Sequence, residues 1–261
     1  MRRLLLSMPV LLLALWTGTA CAGTAPQAAA PATTPTAFTD AQRAEIENII
    51  HEYLTKKKPE AIAEGLQTLQ AREQSAEEER TKGKIAEWKD KLYNDPATPV
   101  GGNPKGDVTI VEFFDYRCGY CKHAEDSVEK ILKEDKKVRL VYKAFPILGA
   151  DSEEAVKAAL ASVKQNKFDV FHNALMKKKD NLSADSVYKT AKDVGLDVTK
   201  LKKDMGEKAV SDAISDNLKL GQAIGVRGTP MFIINDQIFP GALQYEQMKE
   251  AVETARAAGK K

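Results

Sequence analysis

Apolar residues fill the stretch Leu4 to Trp16, behind the basic Met1-Arg-Arg3 and ahead of the small residues Thr17-Gly-Thr-Ala-Cys-Ala22. A basic start, a short apolar core and a small-x-small ending predict a secretory signal peptide over 1–22; the stretch is short for a membrane span. Residues 23–38 are dominated by Ala, Pro and Thr and predict a linker with nothing to bury. Helical periodicity then begins. Thr39 with Gln42 reads as a capping box, and Ile46, Ile49, Ile50, Tyr53 and Leu54 form one apolar face. A second helix is predicted to open at Pro59, with Ile62, Leu66 and Leu69 aligned. Ala71 to Lys84 is nearly all polar, with Gly83 inside it, and reads as either a solvated helix or a hinge. Ile85, Trp88 and Leu92 resume the helical spacing, and Asn94 to Gly106 is predicted to be a Pro/Gly-rich loop.

From Asp107 the pattern turns to compact α/β. Asp107-Val-Thr-Ile-Val-Glu-Phe-Phe114 and Val138-Arg-Leu-Val-Tyr-Lys-Ala-Phe145 are rich in β-branched and aromatic residues and predict strands. Between them, Val128, Ile131 and Leu132 recur at helical spacing. Asp151 is predicted to open a helix with Glu154 in a capping box. Three or four helical segments follow, around Phe168–Lys178, Ala184–Val194 and Lys208–Ile224. Gly225-Val-Arg-Gly-Thr-Pro230 breaks this pattern, Met231–Ile234 and Gln237–Phe239 predict a hairpin about Asn235-Asp236, and a last helix spans Gln244 to Ala258.

Composition sets the compartment more than the partner. Cleavage after Ala22 removes two arginines and no acids, so 39 basic residues become 37 against 37 acidic, and a neutral chain gives no reason to expect nucleic acid. The same cleavage removes Cys21 and leaves only Cys118 and Cys121. The alternative is a lipoprotein lipidated at Cys21, but Gly18-Thr-Ala-Cys21 lacks the leucine such sites usually carry. Both readings place the chain in an oxidising compartment, expected to be the periplasm, where a cysteine pair can do disulfide chemistry.

Cys118-Gly-Tyr-Cys121 lies where the first predicted strand gives way to a helix. There, free N–H groups and the helix dipole favour a thiolate over a thiol on Cys118, and Cys121 is near enough to resolve a mixed disulfide. A zinc site needs about four ligands, and one C-x-x-C with three histidines does not supply them. Haem attachment is excluded because Lys122 separates Cys121 from His123. His51 and His172 are expected to sit in helical segments without partners. No metal and no cofactor beyond the Cys118–Cys121 redox pair is expected; Cu(I) carriage on two soft thiolates is the main non-enzymatic alternative. Gly101-Gly-Asn-Pro-Lys-Gly106 lacks the Lys-Ser/Thr ending of a phosphate loop.

Taken together, Val111-Glu-Phe-Phe-Asp-Tyr-Arg-Cys-Gly-Tyr-Cys-Lys122, Phe145-Pro-Ile-Leu-Gly149 and Gly228-Thr-Pro-Met-Phe-Ile-Ile-Asn235 resemble the thioredoxin fold in its DsbA-like form. Tyr53-Leu54 with Pro59 and Asn103-Pro-Lys-Gly-Asp107 extend the resemblance to the exported suppressor-of-copper-sensitivity C group. It implies an α/β thioredoxin domain over 94–261, with a helical insertion over about 151–224, preceded by a helical oligomerisation or hinge segment over 39–93. It also implies Cys118 as nucleophile, Cys121 as resolving cysteine and a cis Thr229-Pro230 bond facing them, where the Thr229 backbone can hydrogen-bond a client strand. Glu112 falls at the family's buried acid, a proton acceptor for Cys121; an ordinary satisfied strand glutamate is the alternative. Gly119-Tyr120 stands where the oxidase DsbA has Pro-His, which leaves the direction of electron flow open. The expected function is therefore an exported thiol–disulfide oxidoreductase, isomerase or reductase first and dithiol oxidase as alternative. Its expected partners are exported cysteine-containing clients, a membrane redox partner and further copies of itself, as trimer or dimer.

Overall fold

The computed structural model describes residues 38–179 and 182–259. The expected signal peptide, the lipidation alternative at Cys21 and the linker up to Ala37 lie outside the described residues. The chain divides between Gly65 and Leu66 into two compact units.

In the first unit, helix α1 (Asp40–Glu52) starts with the expected capping box, Thr39 and Gln42 each accepting the other's backbone N–H. A π-type turn over Tyr53–Lys57 follows, and α2 (Glu60–Glu87) begins one residue after Pro59. Ile46, Ile49, Ile50, Tyr53 and Ile62 are all exposed. Within the second unit, the polar stretch 71–84 is uninterrupted helix. Its solvated turns carry Arg80–Glu77 and Lys82–Glu79 ion pairs at 3.0 and 3.2 Å, which support a helix with little to bury.

The second unit is a five-stranded mixed sheet in the order β1-β3-β2-β4-β5. Strands β2 (Val108–Phe114) and β3 (Val138–Ala144) run parallel, joined by the crossover helix α4 (Gly119–Glu134). Strand β4 (Met231–Ile234) pairs antiparallel to β2, and β5 (Gln237–Pro240) antiparallel to β4 about the turn at Asn235. The expected loop 94–106 contains a strand instead. Strand β1 (Val100–Gly102) pairs antiparallel with β3, Val100 opposite Val141. Its glycines hide it from a propensity reading, yet they are what permit it. A Cβ on Gly101 would meet the Tyr142 hydroxyl at 2.8 Å, and Gly102 has φ +66°.

Alternation along β2 sends Ile110, Glu112 and Phe114 to one face and Val111 and Phe113 to the other. The first face packs against α4, α10 (Tyr245–Ala258) and the helical insertion, α5 (Ala150–Ser162), α6 (Phe168–Met176), α7 (Ala184–Asp193) and α8 (Val198–Met205). Helix α8 is a helix the periodicity reading did not separate. The second face receives the end of α2 through Ile85, α3 (Lys89–Tyr93) through Leu92, and α9 (Lys208–Ile224) through Leu220 and Ile224. Buried Lys143 ties α3 and its following loop to the sheet, donating to Lys91 O and Thr98 Oγ1, each at 2.7 Å. The capping box expected at α5 is absent. Gly149, at φ 101°, caps the helix without a side chain, and Glu154 instead accepts the Tyr188 hydroxyl.

Candidate active site

The site forms where β2 ends and α4 begins. After Phe114 the chain must turn before Gly119, and Asp115 fixes that turn. Its fully buried carboxylate accepts the N–H of Arg117 at 2.8 Å, of Ile147 at 2.9 Å and of Leu148 at 3.0 Å, and the Ser152 hydroxyl at 2.7 Å. Its carbonyl accepts the Cys118 N–H at 3.0 Å. One side chain thus joins the residues before the cysteines to the loop 145–149 and the start of α5.

Cys118 is the N-cap of α4, in an extended conformation (φ −74°, ψ 115°), and Gly119 and Tyr120 open the helix. Cys118 is 7 % exposed, whereas Cys121, one turn inside, is fully buried. Both are free thiols. The Cys121 thiol hydrogen bond, with those of the Thr229 side chain and the N–H groups of Cys121 and Tyr120, lowers Cys118 from about 9 to about 5 against an opposing burial cost. Cys121 moves the other way. Burial first, then its hydrogen bond to Cys118 and the charge of Glu112, raise its thiol well above the ordinary range. The two sulfurs therefore hold distinct states: a thiolate at the rim and a thiol beneath.

The Thr229-Pro230 bond is cis, and Thr229 O lies 3.1 Å from Cys118 Sγ, placed to accept the S–H of the protonated form. Glu112 comes up from β2, fully buried, with neither carboxylate oxygen hydrogen-bonded. Burial, then the charges of Glu125 and Cys118, hold it well above the usual carboxylate range. The satisfied-glutamate alternative therefore does not describe it. Of the residues singled out from sequence, Cys118, Gly119, Tyr120, Cys121, Thr229, Pro230 and Glu112 all meet at this corner. Tyr120 is 72 % exposed, and Ile147 and Leu148 present side chains to solvent on the loop that Asp115 holds.

The DSBA-like thioredoxin domain matches residues 109–253, more than half of the chain. The chain belongs to the DsbA-like thioredoxin-domain family. Among solved structures, this DsbA-like chain is similar to a thioredoxin-like oxidoreductase from Silicibacter pomeroyi DSS-3, at 44 % identity and TM-score 0.63 over 64 % of this chain and 97 % of that one. It is likewise similar to the catalytic domain of Proteus mirabilis ScsC, at 31 % and 0.63 over 67 % and 98 %. The thiol-disulfide exchange protein alpha-DsbA2 of Wolbachia pipientis matches at 31 % and 0.64 over 69 % and 97 %. Among curated relatives, the probable disulfide bond formation protein D of Bacillus cereus is 30 % identical over 58 % of this chain and 76 % of that protein. The chain spans about a quarter of the Na(+)/H(+) antiporter NhaA 3 of Salinispora tropica, with 27 % identity. That likeness leaves three quarters of the antiporter uncovered. Among the described residues no helix is long and apolar enough to cross a membrane.

Sequence reasoning missed three residues of this DsbA-like site. Asp115 was visible only inside a quoted motif. Glu125 escaped altogether and His172 was expected to lack partners, because the two approach each other from α4 and α6. His172 is not partnerless: it is fully buried, its Nδ1 lies 2.9 Å from Tyr116 Oη, and its Nε2 is 3.7 Å from Glu125 Oε2. The available signal was helical position, since Glu125 falls one turn after Cys121 on the buried face of α4. His51 lies exposed on α1, and His123 is exposed on α4, 3.5 Å from Gln244.

Proposed function

We propose that this chain is an exported thiol–disulfide oxidoreductase acting on the disulfides of client proteins in the periplasm. The observation that carries the reading is the asymmetry of the two sulfurs, a stabilised thiolate on Cys118 above a buried thiol on Cys121. In this reading the Cys118 thiolate attacks a client disulfide, forming a mixed disulfide and releasing one client thiolate. Thr229, beside the cis Pro230, hydrogen-bonds the client backbone, while Tyr120, Ile147 and Leu148 offer it apolar surface. Gly119 leaves the approach to Cys118 open, with no atom near where its Cβ would stand. Cys121 then gives its proton to Glu112 and displaces the remaining client sulfur, closing the Cys118–Cys121 disulfide.

Isomerase or reductase action is the first choice of direction. It is supported by the exposed apolar stripe Ile46, Ile49, Ile50 and Tyr53 of the first unit. Such a stripe suits assembly of copies, a trimer ahead of a dimer, which would gather several thiolates about one client. Dithiol oxidation with a membrane redox partner is the second reading. A Cys118 held near 5 stabilises the reduced pair and so makes its disulfide more oxidising. Scrambled-disulfide reactivation and dithiol oxidation, compared on the mature chain and on one lacking residues 23–69, which keeps Ile85 and Leu92 in the core, decide between them. Isomerase action requires an oligomer by light scattering and loss of reactivation on truncation. A full-length monomer, or undiminished reactivation after truncation, rejects it.

A further inference from the structure

The helical insertion delivers a titratable group, His172, to Glu125 on the buried face of α4, one turn beyond Cys121. His172 on α6 is fully buried among Phe114, Tyr116, Tyr142 and Phe168, with ring centroids 4.5–5.4 Å from its own. An imidazole in such a cage could serve as one more flat ring. Its polar atoms argue otherwise. Nδ1 is satisfied by Tyr116, while Nε2 is buried without a hydrogen bond and faces Glu125 Oε2, itself buried without one, across 3.7 Å. Both oxygens of Glu112 are orphaned in the same interior, and the charge of Glu125 acts on Glu112. Orphaned buried groups are costly, and three in one place call for a shared role.

We propose that His172 is a positioning residue for the resolving step: by pairing with Glu125 it offsets that carboxylate's charge and leaves Glu112 free to accept the proton of Cys121. The inference rests on the proposed roles of Cys121 and Glu112. The Cys121 S–H proton passes to the Glu112 carboxylate, the freed sulfur lone pair forms the Cys118–Cys121 bond, and the electron pair of the mixed disulfide leaves on the client sulfur. Burial already favours the protonated form of Glu112, and two unopposed carboxylates sharing a buried site resist double ionisation, so Glu125 without a counter-charge raises Glu112 further and hinders its acceptance of the proton. An imidazole protonated on both nitrogens, Nδ1 toward Tyr116 and Nε2 toward Oε2, offsets part of the Glu125 charge that reaches Glu112. The titratable and charged groups facing this pair are Tyr116, Tyr142, Glu112, Asp169, and Glu129 with Lys177. Tyr116 and Tyr142 are pushed up by burial and then by Glu125, so both remain neutral hydroxyls near neutral pH.

The test follows closure of a preformed mixed disulfide between Cys118 and glutathione, by quenched-flow mass spectrometry across pH. Wild type, His172→Phe, Glu125→Gln and the double variant are compared. His172→Phe should move the midpoint of the closure profile up by on the order of one pH unit, the lower end of a charge partner's effect. Glu125→Gln should move it down, and adding His172→Phe to Glu125→Gln should move it no further. A purely structural histidine would slow closure equally at every pH. Unmoved midpoints in both single variants, or a His172→Phe shift that persists in Glu125→Gln, overturn the inference. Should His172→Phe fail to fold by near-ultraviolet dichroism, His172→Gln takes its place: a raised midpoint that vanishes in the Glu125→Gln background supports the inference and an unmoved one rejects it. Absence of any closure in the wild type overturns the proposed function as well, whereas closure with unmoved variants overturns only this step.

Discussion

Removal of the Cys121 thiol should erase much of what makes Cys118 a nucleophile. The Cys121 hydrogen bond is the first cause of the lowered Cys118 value near 5, ahead of Thr229 and the backbone N–H groups. Cys121→Ala should therefore raise the Cys118 midpoint toward, but not fully to, an ordinary thiol, because the helix N-terminal donors remain. The same shift sets stability. A cysteine whose folded value is depressed stabilises the reduced fold above its unfolded value of about 9, and loses that contribution as pH falls through about 5. At pH 7 the excess is about two units of about 1.36 kcal/mol each, or about 2.7 kcal/mol, trimmed toward about 2 kcal/mol because solvent borders the sulfur. The same energy raises the reduction potential of the pair by about 50 mV. The assay is the rate of iodoacetamide capture of Cys118 against pH, read by mass, with urea unfolding of the reduced chain at matched pH. Wild type should show a midpoint near 5 and lose stability across it. A wild-type midpoint at an ordinary thiol value, or no upward movement in Cys121→Ala, refutes the reasoning.

Asp115→Ala removes the acceptor of three N–H groups and one hydroxyl, and should cost on the order of 3–5 kcal/mol in urea unfolding while loosening the loop 145–149. Lys143, driven down to about 8 by burial, should make stability rise with pH between about 8 and its ordinary 10.5, since the unfolded chain there binds more protons. The gain is about 3 kcal/mol, and urea unfolding on either side of that window should show it vanish in Lys143→Met. Gly221→Ala drives a Cβ to 2.4 Å from the Phe145 ring and should lower the thermal midpoint at a cost of about 1–3 kcal/mol. Cu(I) titration of the reduced chain, run beside exchange turnover, separates a carrier from an enzyme: rapid turnover is expected, and tight binding with negligible turnover would reverse the ranking.

Where hydrophobic period and punctuation coincide, the sequence was legible. Strands β2, β3 and β4, helix α9, the capping box at Thr39 and the final hairpin all carry strong local signals, and the cysteine pair announced its own helix. Two kinds of element were not legible. Strand β1 exists because an edge was open beside β3, and Val100-Gly-Gly carries no local preference for it. The start of α5 is held by Asp115, some 35 residues earlier, so its own Asp151 and Glu154 misled the capping argument. The site divides in the same way. Cys118 and Cys121 are local, and Glu112 was reached through resemblance. Asp115, Glu125 and His172 matter only through neighbours that the fold supplies, and no spacing rule reports those.

The depth of each sulfur decides the order of events. Disulfide exchange needs a thiolate to attack and a good leaving group to depart, and one helix N-terminus cannot favour both cysteines at once. Cys118 takes the N-cap position, the backbone donors and the solvent-facing rim, so in the proposed mechanism it is the sulfur that meets a client. Cys121 lies one turn deeper, where burial keeps it a thiol until a base removes its proton. The mixed disulfide is therefore long-lived unless Glu112 is ready. Time spent in that state is what separates an isomerase, which lets its client rearrange, from a reductase, which resolves at once. On this argument the balance between the two is set beneath the cysteines as much as at the residues between them. In the proposed mechanism Glu112, Glu125 and His172 are the groups that set it, and an acceleration of closure in Glu125→Gln should cost reactivation of scrambled clients while sparing simple reduction.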